Sequence, residues 1–252
     1  MNDKQTEKVY GIHAVEELLK SAPTQVSRVY VGNSRTNKAV FQQLKFCRKH
    51  KIPCQQVPPN RLDELAETSK HQGIVAIRTA YPYSDAEKLL EAAGNLDFPP
   101  VFIIPAKIED SRNLGAIIRS AAAFGSSGVL LERKSTVTLN PAVAKTSAGM
   151  IEKMGVARPG NLEGLVEKLA DRDYSIVGIS EQHGKPPNEI DLTRPVVLVL
   201  GGENAGIPPY LEKRCTDFAH IPSMPETCSL NVSVACAIML YETARQRSYT
   251  YS

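Results

Sequence analysis

Two kinds of hydrophobic pattern divide the chain. Over residues 9–79, short apolar runs alternate with amphipathic stretches. This predicts a helix in HAVEELLKSA, a strand in SRVYVG, a helix in KAVFQQLKFCRKH, a strand near CQQV, a helix after Pro59 and a strand in GIVAIRT. Gly32, Pro53, Pro58 and Pro59 stand where turns are needed. From Val101 the runs become nearly continuous: VFIIPA, GVLLE, YSIVGIS and PVVLVLGGE read as strands covered on both faces in a parallel sheet. Helices are expected between them at LGAIIRSAAAF, PAVAKTSAG and LEGLVEKLA. The last element, SLNVSVACAIMLYETARQR, starts at Ser229, a capable cap, and is apolar nearly all round until Glu242, so it predicts a buried helix. The pattern gives an α/β fold in three segments: a small α/β domain over 1–79, a linker with one helix over 80–99, and a parallel-sheet domain over 100–252.

Composition narrows the classes. The 252 residues are 42% hydrophobic, enough for a sizeable core. No apolar stretch approaches the roughly 18 residues of a membrane span, and the N-terminal sequence has no signal-peptide hydrophobic region; a cytoplasmic protein is expected. The 5 cysteines are scattered with no CxxC pair, and the 5 histidines show no HxxxH pair. Neither a disulfide framework nor a metal site is expected. The net charge of +3 conceals an asymmetry: residues 1–78 carry 13 Lys and Arg against 7 Asp and Glu, the remainder 17 against 20. Between Glu17 and Asp63 there is no acid. A basic half joined to a near-neutral half suits an anionic polymer held by one domain and reacted by the other, with phosphate contacts from Arg28, Arg35, Lys38, Lys45, Arg48, Lys49 and Lys51. Tyr10 and Tyr30 are candidates for base stacking or for the core.

Three constellations in the second domain carry candidate chemistry. Asp110, Arg112, Asn113 and Arg119 crowd the turn after VFIIPA, where an open parallel sheet receives ligands. With a helix starting near Asn113, Arg119 lies under two turns on, and a cation amid AII and SAAA needs a partner. In VLVLGGENAGIPPYL, Gly201 and Gly202 permit close backbone approach after a buried strand, and Glu203 is an acid set where a ligand would lie. The GxGxxG dinucleotide fingerprint is absent from the chain. In HIPSMPETCSLNVSVACAIM a strand is expected to end at Ile221; Ser229 caps the following helix, and Asn231, just inside it, has reason to be there if it binds something.

NLGAIIRSAAAFG, LGGENAGIP and IPSMPETCSLNVSVACAIMLYE resemble, in order and spacing, the three motifs of the SpoU/TrmH (SPOUT) family of RNA ribose 2′-O-methyltransferases. YGIHAVEELL with HQGIVA resembles the L30e-like substrate-binding domain of the branch that methylates a 23S rRNA guanosine. The resemblance implies a catalytic domain with a deep C-terminal trefoil knot, a homodimer, and S-adenosyl-L-methionine held by Leu200, Gly201, Gly202, Ile221 and Leu230. Arg119 takes the place of the family arginine proposed to activate the hydroxyl. A guanidinium keeps its proton, with a pKa above about 12, so orienting the hydroxyl and phosphate and stabilising developing alkoxide charge is the role its chemistry allows. Asn113, Glu203, Ser229 and Asn231 would complete the site, with Arg112 toward RNA. The loop IPSMP departs from the family's usual IPMxG, placing Pro225 where glycine is common; proline fixes φ and removes a donor, so an altered loop shape is expected. Methylation of tRNA, methylation of another rRNA site conferring antibiotic resistance, and a catalytically silent RNA-binding role are the alternatives.

Overall fold

The computed structural model describes residues 6–32, 38–50, 52–79, 81–133, 135, 137–202, 206–224 and 229–248. In chain order these form β1 (Thr6–Tyr10), α1 (Ile12–Ser21), β2 (Val26–Val31), α2 (Lys38–Lys49), β3 (Cys54–Gln56), α3 (Pro59–Ala66), β4 (Ile74–Thr79), α4 (Ala86–Gly94), β5 (Val101–Pro105), α5 (Ser111–Ala123) and β6 (Gly128–Leu130). Then come α6 (Pro141–Thr146), β7 (Val156–Ala157), α7 (Leu162–Ala170), β8 (Ser175–Ile179), β9 (Val196–Leu200), α8 (Pro209–Glu212), β10 (Asp217–Ala219) and α9 (Val232–Gln246). Contacts group Met1–Pro82 with Leu139–Lys153 as one unit, and Tyr83–Thr138 with Met154–Ser252 as another.

The first unit holds a four-stranded sheet ordered β1-β4-β2-β3, with β4 antiparallel to both neighbours and β3 parallel to β2. Every element expected over 9–79 is present. β1 was not foreseen, because only Val9 and Tyr10 of TEKVY are apolar and the strand is made by its ladder to β4. Tyr10 and Tyr30 pack against Leu62, Ala66 and Val75, so both belong to the core. Arg78 is 1% exposed and bonds both Glu152 and Gln25, while Tyr81 lies under its guanidinium. Burial raises the Glu152 carboxyl above the usual range despite this cation.

The second unit is built on a six-stranded, wholly parallel sheet ordered β10-β8-β9-β5-β6-β7. Every residue of β5 and β9 is buried, as their continuous apolar runs predict. From β5 the chain runs outward through β6 and β7 on one side, then returns to build β8, β9 and β10 on the other; ligands bind beyond the carboxyl ends at such a reversal. Within the segment expected as a linker, α4 buries Leu90 and Ala93 in the same core cluster as Phe102 and Ile104. β7 went unpredicted because two residues carry no periodicity.

Four local expectations are corrected. α5 starts at Ser111, with Asp110 as its cap, not near Asn113. β10 ends at Ala219, two residues before Ile221. α9 begins at Val232, and its cap is Asn231, which accepts from the Ser233 amide, rather than Ser229. α9 also is not buried all round: Val234 and Tyr241 are 45% and 59% exposed, whereas Glu242 is buried. Among the described residues no helix is long and apolar enough to cross a membrane, and no group of His, Cys, Asp and Glu could hold a metal ion.

Candidate active site

A cavity of about 230 Å³ opens where the ends of β8, β9 and β10 meet the start of α9. Ile179, Ser180 and Glu181 form one wall, Leu200, Gly201 and Gly202 a second, and His220, Ile221, Ser223, Ser229, Leu230, Val232 and Ala235 the remainder. All five residues expected to hold the cofactor therefore lie on one cavity, although they come from two separated motifs. Ser180 and Glu181 were missed, yet the rule that ligands sit beyond strand carboxyl ends applies to β8 as well as to β9.

The two glycines are required by backbone packing. A Cβ on Gly201 would lie 2.5 Å from the carbonyl carbon of Gly206, and one on Gly202 would lie 2.5 Å from the Lys107 carbonyl oxygen. Gly202 and Gly206 exchange backbone hydrogen bonds of 3.0 and 3.2 Å, closing the loop on itself. Glu203 and Pro225 lie outside the described residues. Beneath this loop, the Glu132 carboxylate accepts from the Lys107 amide at 2.9 Å and from the Tyr210 hydroxyl at 2.7 Å. Lys107 has φ of 56°, a left-handed conformation that a side-chain-bearing residue adopts only when neighbours hold it. Burial, with Glu132 as acceptor, pushes the Tyr210 phenol up. No sequence signal marked this link across 78 positions.

Beside the cavity, α5 and α9 meet at their first turns. Asn231 Nδ2 donates to Asn113 Oδ1 at 3.1 Å, while Asn231 Oδ1 accepts from the Ser233 amide and hydroxyl. Asp110 caps α5 and pairs with Arg112, whose guanidinium holds the Asp110 carboxyl below its usual range. The Arg112 side chain is 81% exposed, so this pair contributes little and leaves the cation able to meet another anion. Arg119 is exposed on α5, and among the described residues it has no hydrogen-bond or ion-pair partner, so the expected partner is not found among them.

The expected RNA contacts fall mainly on α2, which carries Lys38, Lys45, Arg48 and Lys49, all exposed. Arg28 on β2 donates to Gln55 at 3.3 Å. Arg35 and Lys51 lie outside the described residues.

Residues 100–241 match the model of the SpoU rRNA Methylase family, and residues 8–84 match that of RNA 2′-O ribose methyltransferase substrate binding. The chain belongs to the SpoU family. It is 34% identical to the 23S rRNA (guanosine-2′-O-)-methyltransferase RlmB of Pseudomonas aeruginosa, over 97% of this chain and 98% of that protein. It is 33% identical to the TrmH family protein YacO of Bacillus subtilis, over 97% and 98%. The crystal structure of the SpoU methyltransferase AviRb from Streptomyces viridochromogenes in complex with AdoMet superposes with a TM-score of 0.78 at 24% identity, covering 97% of this chain and 91% of that one.

This SpoU family chain is an S-adenosylmethionine-dependent RNA 2′-O-ribose methyltransferase, and its cavity suits that cofactor. Ile179, Leu200, Ile221, Leu230 and Val232 offer apolar surface to a purine ring, and Ser180, Glu181, Ser223 and Ser229 offer polar groups for hydroxyls and an amino-acid tail. His220 on the same wall has a buried Nδ1 without a hydrogen-bond partner.

Proposed function

We propose that this chain methylates the ribose 2′-hydroxyl of a guanosine in 23S rRNA, acting as a cytoplasmic homodimer. Residues 1–79 serve as the L30e-like RNA-binding domain, 80–99 as connector and 100–252 as the knotted catalytic domain. The observation that carries the reading is the convergence of Leu200, Gly201, Gly202, Ile221 and Leu230 on one cavity beside the Asn113–Asn231 contact. The 34% identity to RlmB over nearly the whole chain supports the choice of RNA.

S-adenosylmethionine supplies a methyl group on a positively charged sulfur, so the chain needs mainly to orient the acceptor and ease loss of its proton. The glycine loop and the start of α9 bind and shield the cofactor. Arg119, which has no partner among the described residues, receives the RNA phosphate and steadies negative charge growing on the 2′-oxygen. Asn113 and Asn231 fix the first turns of α5 and α9, and Ser229 and Glu203 bind the nucleotide. Lys38, Lys45, Arg48 and Lys49, with Arg28, Arg35, Lys51 and Arg112, hold phosphates with little sequence choice.

The homodimer reading is supported by α9, whose exposed Val234 and Tyr241 lie seven residues apart on one face, with Phe124 of α5 edge-on to Tyr241 at 6.4 Å. Sedimentation of the purified chain tests it, and a monomer at micromolar concentration would contradict it.

Methylation of tRNA is the second reading, favoured by the likeness to YacO, a TrmH family protein named as a tRNA/rRNA methyltransferase. Transfer of labelled methyl to protein-free 23S rRNA and to bulk tRNA, followed by mapping of the ribose, separates the two. Label confined to tRNA would displace the rRNA reading.

A further inference from the structure

The first unit carries a second cavity of about 230 Å³ between α1 and α2, lined by Glu16, Leu19, Lys20, Ala39, Gln42, Gln43 and Phe46. We propose that this groove receives one unpaired nucleobase of the RNA substrate. The proposal rests on the RNA-methylation reading above and locates where that RNA is read in single-stranded form.

Three independent features point to a flat, hydrogen-bonding, anionic-backboned ligand. First, Gln43 is 4% exposed; its Nε2 donates to the Ile12 carbonyl at 2.8 Å, which fixes the amide, and its Oε1 is buried without a hydrogen-bond partner. A buried acceptor left unsatisfied on a cavity wall is costly unless a donor arrives, and the N–H groups of a base edge are such donors. Second, Phe46 of that wall stacks on His50 with ring centroids 4.1 Å apart at 19°, and on another face of α2, outside the groove lining, Phe41 is 47% exposed beneath the Lys45 ammonium, 5.0 Å from its ring centroid. Exposed aromatic rings beside cations form a platform on which bases stack. Third, α2 bears Lys38, Lys45, Arg48 and Lys49 and no acid, so a strand entering the groove would have its phosphates neutralised along the helix. Glu16 does not oppose this charge, being paired with Lys20 at 2.6 Å. An apolar partner protein would use Phe41 but would gain nothing from the cations or from Gln43, which is why an RNA base is favoured.

The test uses the full chain and two RNAs of equal length and charge: a hairpin with 2-aminopurine in an unpaired loop, and a blunt duplex. The wild type should bind the looped RNA more tightly and quench its fluorescence. Phe46→Leu and Gln43→Met should each weaken looped-RNA binding about tenfold, with duplex binding and S-adenosylmethionine binding unchanged. His50→Ala and Phe41→Ser, both at exposed positions, carry the test if the buried variant fails to fold, and should reduce the quench. Equal binding of the two RNAs by the wild type, or variants indistinguishable from it, would overturn the proposal. Methyl transfer to 23S rRNA by the same proteins separates the levels: transfer that persists without any effect of these variants removes only the base site. Absence of both transfer and RNA binding in the wild type removes the reading beneath it as well.

Discussion

Asn231 donates to Asn113 across 3.1 Å, and the same Asn231 caps α9 through its other amide atom. One side chain therefore sets where α9 starts and ties that start to the first turn of α5, 118 positions earlier.

Asn231→Ala removes both interactions and should destabilise the fold by about 1 kcal/mol from the lost cap alone. Asn113→Ala removes the link between helices and leaves the α9 cap in place. Methyl-transfer rates of the two single variants and the double variant should be non-additive, the double being little worse than Asn231→Ala. Additive losses would mean that the two side chains act separately.

Arg119 is exposed and has no partner among the described residues, so Arg119→Ala should leave the melting temperature and cofactor affinity unchanged. Methyl transfer should fall by about 10²-fold or more, the scale for losing one donor to developing charge. Arg119→Lys should recover little, because a point charge lacks the planar fork. Single-turnover assays with saturating cofactor measure this directly.

Gly201→Ala and Gly206→Ala separate crowding from backbone conformation. The first places a methyl group 2.5 Å from a backbone carbon and should displace the loop, cutting methyl transfer about 10²-fold. At Gly206 the new methyl meets nothing within 4 Å among the described residues, and its φ of 60° opposes substitution at a cost of about 1 kcal/mol. Calorimetric titration of cofactor into each variant should show loss for Gly201→Ala only.

Tyr210→Phe deletes one hydrogen bond to Glu132 and should cost about 1 kcal/mol in denaturant unfolding. Glu132→Gln leaves a shape-matched side chain that still accepts one bond, and its loss should be smaller than that of Glu132→Ala, which frees the Lys107 amide as well.

Glu242 has its carboxyl held below the usual range, first by its hydrogen bond to Arg245 and also by Gln246. A carboxylate lowered in the folded state binds fewer protons there than when unfolded. Its stabilisation is therefore present above about pH 4.5 and lost as pH falls through the folded value. Melting curves between pH 6 and pH 3 should fall less steeply for Glu242→Gln than for the wild type.

The strands that the chain announces are those whose burial is complete. VFIIP and VVLVL are apolar at every position because both faces are covered, and no local competitor reads the same way. β7 is two residues held by a neighbour's ladder, and TEKVY becomes β1 only because β4 pairs with it, so neither has a signal of its own. At the start of α9, Ser229 and Asn231 are both capable caps two residues apart, and chain order cannot choose between them; the Asn113 contact and the Ser233 amide do. Of the cavity lining, Leu200, Gly201, Gly202, Ile221 and Leu230 could be named from the chain because the resemblance to the SpoU motifs points to them. Glu181, His220 and the Glu132–Tyr210 pair could not, since their roles arise from strands that become neighbours only in the folded sheet.

The three walls of the cavity come from residues 179–181, 200–202 and 220–235, with β8, β9 and β10 between or before them. While the chain is being made, a ribosome that has reached Gly202 has produced the sheet's centre and two of the walls, yet nothing that can enclose a ligand. The cavity is thus completed in one late step of synthesis, when the stretch through Ala235 joins the two walls already made.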